Sequence, residues 1–384
     1  MRLAIVAGPA PGHAFPAAGL AQGLVRRGHQ VLVLTGEVWL AALARDGLRA
    51  QCLPILSHDE RDSFFGFRIY GRGAQSAPGI AELVSAFGAT AVVVDTLTVG
   101  GAYAAGLLGL PWIELIPHPL QDVTGGICAP GTGLAPGRGP AGRARDTVLR
   151  ALNRRAIDKT MHERWDARRS LGLPDEGPPA GRIVATLPGF EIPRADWPRR
   201  TAVVGPLEWD PVTAELPLPP GGAPLVFASA STAPAGATGI LEASLGACDA
   251  LGYRLVCTQF DTHDGPLPGW ASVGPGRQAP ALDAADVVVA GGGHGMVAKA
   301  MLRGLPLVCV PGGGEQFDNA RRVRRLGAGA SIRPKRLTAA RLATQLSRLV
   351  GDASYRRAAR RIAVSAAGLG PAHAARVVER MLGA

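Results

Sequence analysis

The sequence predicts an α/β protein built from two doubly wound, parallel-sheet domains that face a cleft. Three observations carry this reading. Short apolar runs alternate with stretches of helical periodicity, and the series occurs twice along the chain. A segment rich in proline and glycine, EWDPVTAELPLPPGGAP, separates the two series. The length of 384 residues exceeds what one core usually holds. The expected division is a first domain over 1–208, a linker over 209–222 and a second domain over 223–366. Residues 367–384 are then a terminal helix that can pack back on the first domain.

In the first series, LAIVA at 3–7 fits a strand buried on both faces. The turn GPAPGH follows, then Pro16 as a first-turn proline and AAGLAQGLVRR with helical spacing. Gly28 ends that helix, and QVLVL at 30–34 is the next strand, completing a βαβ unit. AVVV at 91–94, a helix over 100–108 and a strand over 112–115 repeat the pattern. Residues 121–145 (QDVTGGICAPGTGLAPGRGPAGRAR) read as a long loop, either an acceptor lid or a surface excursion, followed by a helix over 146–171.

The second series opens with PLVFA at 224–228 and a helix over 237–251. Strands are expected over 254–258, 287–289 and 307–310, with helices over 295–303 and 317–326.

The bulk numbers exclude several classes. A net charge of +11 raises nucleic acid or an anionic membrane as partners. The arginines, however, are scattered, with separate groups over 143–155, 321–325 and 356–361, and aromatics make up only 5% of the chain. No stacking platform is visible, so nucleic acid is not expected and an anionic small substrate is. Five cysteines, odd in number, widely spaced and without a CxxC, point to reduced thiols and a cytoplasmic protein. Pro9, Pro11 and Pro16 break up any leader-like apolar run. The nearly uncharged stretch 89–116 contains Asp95, Glu114 and Pro111, so it reads as strand–helix–strand and not as a membrane span. No HExxH, Asp-x-Asp or GxSxG is present, so neither a bound metal nor a serine hydrolase is expected.

In parallel sheets the ligand sits beyond the C-terminal strand ends. Three turns lie there, at 8–13, 229–232 and 291–296. Gly291, Gly292 and Gly293 leave backbone N–H groups bare before a helix start at Gly295, which suits a phosphate or diphosphate. A turn of this kind also serves plain strand–helix packing. Ser229, Ser231 and Thr232 offer hydroxyls to the same anion or act as helix caps. Glu315 and Gln316 can grip neighbouring sugar hydroxyls or favour a helix start. His13 suits a general base, and Asp95, at a strand end, can hold its tautomer.

These motifs together resemble the family 1 glycosyltransferases of the GT-B fold, most of all the branch that decorates natural products and lipids. Gly12-His13 with Pro16, and then Gly28-His29, resemble that family's GH-x-x-P start and its following strand entry. VVGPL at 203–207 resembles the end of its N-terminal domain. AADVVVAGGGHGMVAKAMLRGLPLVCVP and EQFDNARRV resemble its donor signature of HGG-x-GT, G-x-P and DQ-x-x-NA. The resemblance implies two Rossmann-like domains, with the acceptor bound in the first and the nucleotide-sugar in the second. It implies His13 as catalytic base with Asp95 as its partner. It further implies Ser231, Thr232, Gly293, His294, Gly295 and Met296 at the diphosphate, Glu315 and Gln316 at the sugar, and Arg277-Gln278 beside the base.

The chain departs from that pattern at four positions. Gly291 stands for the histidine, Met296 for the threonine, Lys299 for the helix glutamate and Glu315 for the aspartate. His294 or Lys299 is expected to take over a phosphate contact.

The function expected is inverting, metal-independent transfer of a sugar from a TDP- or UDP-sugar to a small natural-product acceptor, with no cofactor. The expected partners are these two small molecules, with no nucleic acid and no stable membrane insertion; a homodimer or an auxiliary protein is open. An inactive nucleotide-sugar-binding auxiliary and a sugar-nucleotide epimerase of the same fold are the alternatives. The acceptor pocket is expected to include the 121–145 loop and the region after His58, with Phe64, Phe65 and Phe67.

Overall fold

A computed structural model gives the structure of the chain and describes residues 1–54, 67–122, 124, 126–127, 129–229 and 237–383. His58, Phe64, Phe65, Ser231 and Thr232 lie outside the described residues, as does the side chain of Phe67.

The first domain has strands β1 (Arg2–Val6), β2 (Gln30–Thr35), β3 (Arg49–Cys52), β4 (Ala91–Asp95), β5 (Trp112–Ile116), β6 (Gly181–Val184) and β7 (Thr201–Val203). Helices α1 (Pro11–Arg26), α2 (Leu40–Arg45), α3 (Arg72–Phe87), α4 (Gly100–Leu108) and α5 (Gly139–Ser170) connect them. The second domain has strands β8 (Leu225–Ser229), β9 (Arg254–Thr258), β10 (Ala271–Gly274), β11 (Val287–Ala290), β12 (Leu307–Cys309) and β13 (Gly329–Ser331). Its helices are α6 (Ile240–Leu251), α7 (Gln278–Ala284), α8 (His294–Leu302), α9 (Glu315–Arg325), α10 (Ala339–Gly351) and α11 (Ala353–Ser365), and α12 (Pro371–Leu382) follows.

Both sheets are parallel. Their orders are β3-β2-β1-β4-β5-β6-β7 and β10-β9-β8-β11-β12-β13. Each order reverses direction once, between β1 and β4 and between β8 and β11. Helices leave opposite faces of the sheet at such a switch point, so a crevice opens beyond the strand ends.

The apolar runs are continuous because both sheet faces are covered. Leu3 and Ile5 pack on one side of the first sheet, Ala4 and Val6 on the other, all fully buried. Leu225 and Phe227 against Val226 and Ala228 do the same in the second sheet.

Helix α12 returns to the first domain, where Ala374, Ala375, Val377 and Val378 share a core with Leu3 and Ile5. Glu379 accepts from Arg27 Nε at 2.7 Å and from His29 Nε2 at 2.7 Å, which ties the helix down. The segment between β7 and β8 is irregular, yet Trp209 within it is buried and donates to Asp46 Oδ2 at 2.7 Å. Among the described residues no helix is long and apolar enough to cross a membrane.

Several element boundaries differ from the sequence reading. Helix α1 begins at Pro11, which is the real first-turn proline, and Pro16 lies inside the helix. The Gly12 carbonyl therefore lacks its helical donor. Helix α5 begins at Gly139, inside the stretch expected to be loop up to 145. Asp146 explains this: its Oδ2 accepts from Gly137 N at 2.7 Å and folds the preceding residues onto the helix start.

Candidate functional site

The pairing of β1 with β4 places Val6 opposite Val94, so the turn after β1 and Asp95 at the end of β4 meet at the switch point. His13, in the first turn of α1, reaches into that crevice. Its Nδ1–H donates to Asp95 Oδ1 at 2.7 Å. Asp95 is fully buried, and its Oδ2 accepts from Leu97 N at 3.1 Å and Thr98 Oγ1 at 3.0 Å. Thr98 Oγ1 in turn accepts from Gly8 N at 2.8 Å, which fixes the turn that leads to His13. Thr98 has no motif signal of its own; its position three residues after a strand-ending Asp is the only clue in the sequence.

This arrangement sets the chemistry of His13. The carboxylate holds the proton on Nδ1 and leaves Nε2 as the basic nitrogen. Burial pulls the imidazole pKa down. The charge and hydrogen bond of Asp95, with a further contribution from Glu315, outweigh it, and the net shift is upward. Glu315 belongs to the second domain, so the two domains share one electrostatic site. Its Oε2 is buried with no hydrogen-bond partner among the described residues.

In the second domain, β11 ends at Ala290 and the glycine turn leads into α8. Gly292 adopts φ +85°, a left-handed conformation that glycine tolerates, and its carbonyl accepts from Asn319 Nδ2 at 3.1 Å. The helix is capped by Gly293, with no side-chain cap and no acidic residue in its first turn. A Cβ built at Gly293 or Gly295 would meet open space. Among the described residues nothing crowds a side chain at these two positions, and the first N–H groups of α8 have no acidic side chain in their own turn. Helix α9 differs, because Glu315 and Asp318 already occupy its first turn. Gln316 is buried, and its Oε1 accepts from Gly312 N at 2.9 Å, so part of its capacity shapes its own turn. Asn319, part of the quoted EQFDNARRV, proves to be the residue that braces the glycine turn.

The two residues expected to replace a phosphate contact lie elsewhere. The His294 ring is buried, and its Nε2–H donates to Ala185 O of the first domain at 3.2 Å. Burial, then the nearby charge of His118, hold its pKa down to about 3, so the ring is neutral. Only the backbone of His294 faces the turn as a helix-start donor. Lys299 Nζ donates to Gln278 Oε1 at 2.7 Å, and burial lowers its pKa. It supports Gln278, the glutamine expected beside the base. Gln278 also donates through Nε2 to Thr258 Oγ1 at 3.2 Å and through its backbone N to Asp210 Oδ2 at 2.9 Å. Arg277 is exposed and lies 3.5 Å from Glu215. Arg277, Lys299 and Arg303 line an open cavity of about 410 Å³ beside the linker residues Trp209 and Asp210. Met296 is half-buried against the second core. Burial pushes the thiols of Cys248, Cys257 and Cys309 up to about 12, which removes them as nucleophiles.

Comparison with known proteins finds matches to both domains. The family described as "Erythromycin biosynthesis protein CIII-like, C-terminal domain" matches residues 279–381, and the "Glycosyl transferase 4-like domain" matches residues 12–184. The 4'-demethylrebeccamycin synthase of Lentzea aerocolonigenes is 28% identical over 88% of this chain and 89% of its own length. The L-demethylnoviosyl transferase of Streptomyces niveus is 26% identical over 94% and 93%. Among solved structures, the glycotransferase of kitacinnamycin superposes with a TM-score of 0.76 at 22% identity, covering 99% of both chains. The Streptomyces sp. SF2575 glycosyltransferase SsfS6, complexed with thymidine diphosphate, gives 0.68 at 22% identity over 99% of both chains. With two parallel sheets, a shared crevice and relatives that span nearly its full length, the chain is a glycosyltransferase of the GT-B fold.

Proposed function

We propose that the chain moves a sugar from a thymidine or uridine diphospho-sugar to a hydroxyl of a small natural-product acceptor, with inversion and without a metal. One observation carries this reading: the His13–Asp95 hydrogen bond at the first switch point, which leaves Nε2 facing the cleft as a base. His13 Nε2 takes the acceptor proton, and the acceptor oxygen forms a bond to the anomeric carbon. The bond from that carbon to the diphosphate oxygen breaks, and the electron pair leaves with the nucleotide. Asp95 stabilises the imidazolium. The uncapped start of α8 at residues 293–296 meets the charge that develops on the departing diphosphate, as a helix terminus does without a metal ion. Glu315 and Gln316 at the start of α9 face the sugar, and Arg277 with Gln278 stands by the base. The names of the two curated relatives and the thymidine diphosphate complex support this donor and acceptor class. The described cysteines are free, which supports a reducing compartment such as the cytoplasm.

The test is a set of melting curves with TDP, UDP, GDP and ADP, followed by product analysis with a competent donor. Saturation at about 100 times Kd stabilises by about 2.7 kcal/mol. A shift with TDP or UDP alone, an inverted anomeric product, and loss of turnover but not of nucleotide binding in His13→Ala are expected. Normal turnover by His13→Ala rules out the assignment.

A further inference from the structure

The contact between the first domain's long loop and helix α9 has no role in the mechanism so far. Asp318 is 5% exposed and points out of the second domain. Its Oδ2 accepts from Gly131 N at 2.6 Å and its Oδ1 from Gly133 N at 2.8 Å. Both glycines have left-handed backbones, with φ +79° and +67°. That conformation turns both N–H groups toward one anion, the concave arrangement that binds carboxylates and phosphates. The fit is close on the loop side too. A Cβ at Gly133 would fall 2.8 Å from the Phe317 carbonyl, and one at Gly131 would fall 3.7 Å from Gly314. Arg321 adds a second anchor by donating to Gly126 O at 3.0 Å.

The location gives this contact its meaning. Gly314 directly precedes Glu315, and Asp318 lies one helical turn after it, on an adjoining part of the same face. The loop tip therefore rests on the first turn of the helix that presents the sugar-facing pair.

We propose that Asp318 is a positioning residue that clamps the first domain's loop over the sugar subsite, and so sets how a bound sugar divides between acceptor and water. The proposal rests on the glycosyl transfer argued above. With the clamp made, the loop moves with the donor domain, and the subsite is roofed only when both domains are together. With it broken, nucleotide binding persists because α8 is untouched, but the roof is loose and water reaches the anomeric carbon.

The experiment uses the full chain and two variants that attack the contact from opposite sides, Asp318→Asn and Gly133→Ala. An asparagine turns one N–H against a glycine N–H, and an alanine drives a methyl group into Phe317. Three readouts are taken: amide hydrogen exchange at Gly131 and Gly133, the TDP-induced shift in Tm, and the ratio of donor hydrolysis to transfer. Each charge-assisted bond lost is expected to speed exchange of these amides by roughly tenfold or more. The TDP shift is retained, the hydrolysis-to-transfer ratio rises by a comparable factor, and acceptor KM rises more than donor KM. Unchanged exchange in both variants overturns the clamp. Faster exchange with an unchanged ratio overturns its role in partition. If the wild type transfers no sugar with any donor, the glycosyl-transfer reading fails, while the exchange data still decide whether Asp318 holds the loop.

Discussion

Asp95→Asn is the sharpest probe of the proposed base. The substitution keeps shape and removes charge, and the surrounding hydrogen bonds decide which way the new amide turns. Leu97 N–H and Thr98 O–H both donate to Asp95 Oδ2, and the Thr98 oxygen already accepts from Gly8 N–H. The amide oxygen must face these donors, so its NH2 group faces His13. His13 Nδ1 then becomes an acceptor and the ring proton moves to Nε2, the nitrogen that has to receive the acceptor's proton. The same swap in catalytic triads costs about 10⁴-fold in kcat, which corresponds to about 5 kcal/mol of barrier.

The pH profile gives a second signature. Burial alone lowers the His13 pKa, and Asp95 is the main cause of its net rise above 6.5. Activity needs the neutral ring, so the acid limb of kcat/KM should lie above 6.5 in the wild type and drop below it in the variant. The stability contribution of a raised histidine is fully present below the unfolded value and is lost as pH rises through the folded one. The wild type's margin over Asp95→Asn should therefore shrink on the alkaline side. The assay is initial-rate measurement of nucleotide release with a competent donor and acceptor, with TDP binding as the folding control. A variant with normal TDP binding and a kcat within tenfold of wild type refutes the tautomer argument.

Other expectations follow from the same geometry. Gly295→Asp places a carboxylate in open space at the start of α8; it should stabilise the helix by about 0.5 kcal/mol while weakening TDP binding by about tenfold or more, read by paired melting and titration. Unchanged TDP affinity would move the diphosphate away from α8. Hydrogen bonds from Arg27, then His29, hold the Glu379 carboxyl down to about 2, so its contribution is present above the unfolded value of 4.5 and lost as pH falls through about 2. Glu379→Gln should lower Tm by about 1–3 °C at pH 7, with the gap closing in acid. Because His294 is held down to about 3, its unfolded form binds a proton that the folded form rejects, and stability falls as pH drops from 6.5 toward 3. His294→Gln should flatten that slope, which is at most about 1.4 kcal/mol per pH unit; melting curves over this range decide it.

Much of this was legible in the chain. Apolar runs and glycine turns locate both switch points, because a strand buried on both faces leaves a plain sequence mark and its following turn is where ligands bind. His13, Asp95, Gly293 and Glu315 are all placed by that logic. The three-residue strands Thr201–Val203 and Gly329–Ser331 left no such mark, since their small or exposed residues read as loop. Lys299 was misplaced for a geometric reason. It lies five residues after His294, about 140° around the helix, and so faces Gln278 and not the glycine turn. Asp318 reads locally as an acidic residue favouring its own helix start. Its partners, Gly131 and Gly133, lie in the other domain, and no local pattern announces a contact of that span.

The return of α12 has a consequence for how the protein is made. Synthesis runs from the first residue, and the first sheet emerges long before the helix that covers one side of it. Until α12 leaves the ribosome, the surface around Leu20, Leu24 and Ile183 that shares a core with Ala374 and Val378 has no lid. The second domain, whose helices precede α12, can finish its core first. The nascent first domain then carries an apolar patch through most of translation, a natural target for chaperones. Removing α12 should reduce soluble yield much more than a loss of the same size from a surface loop.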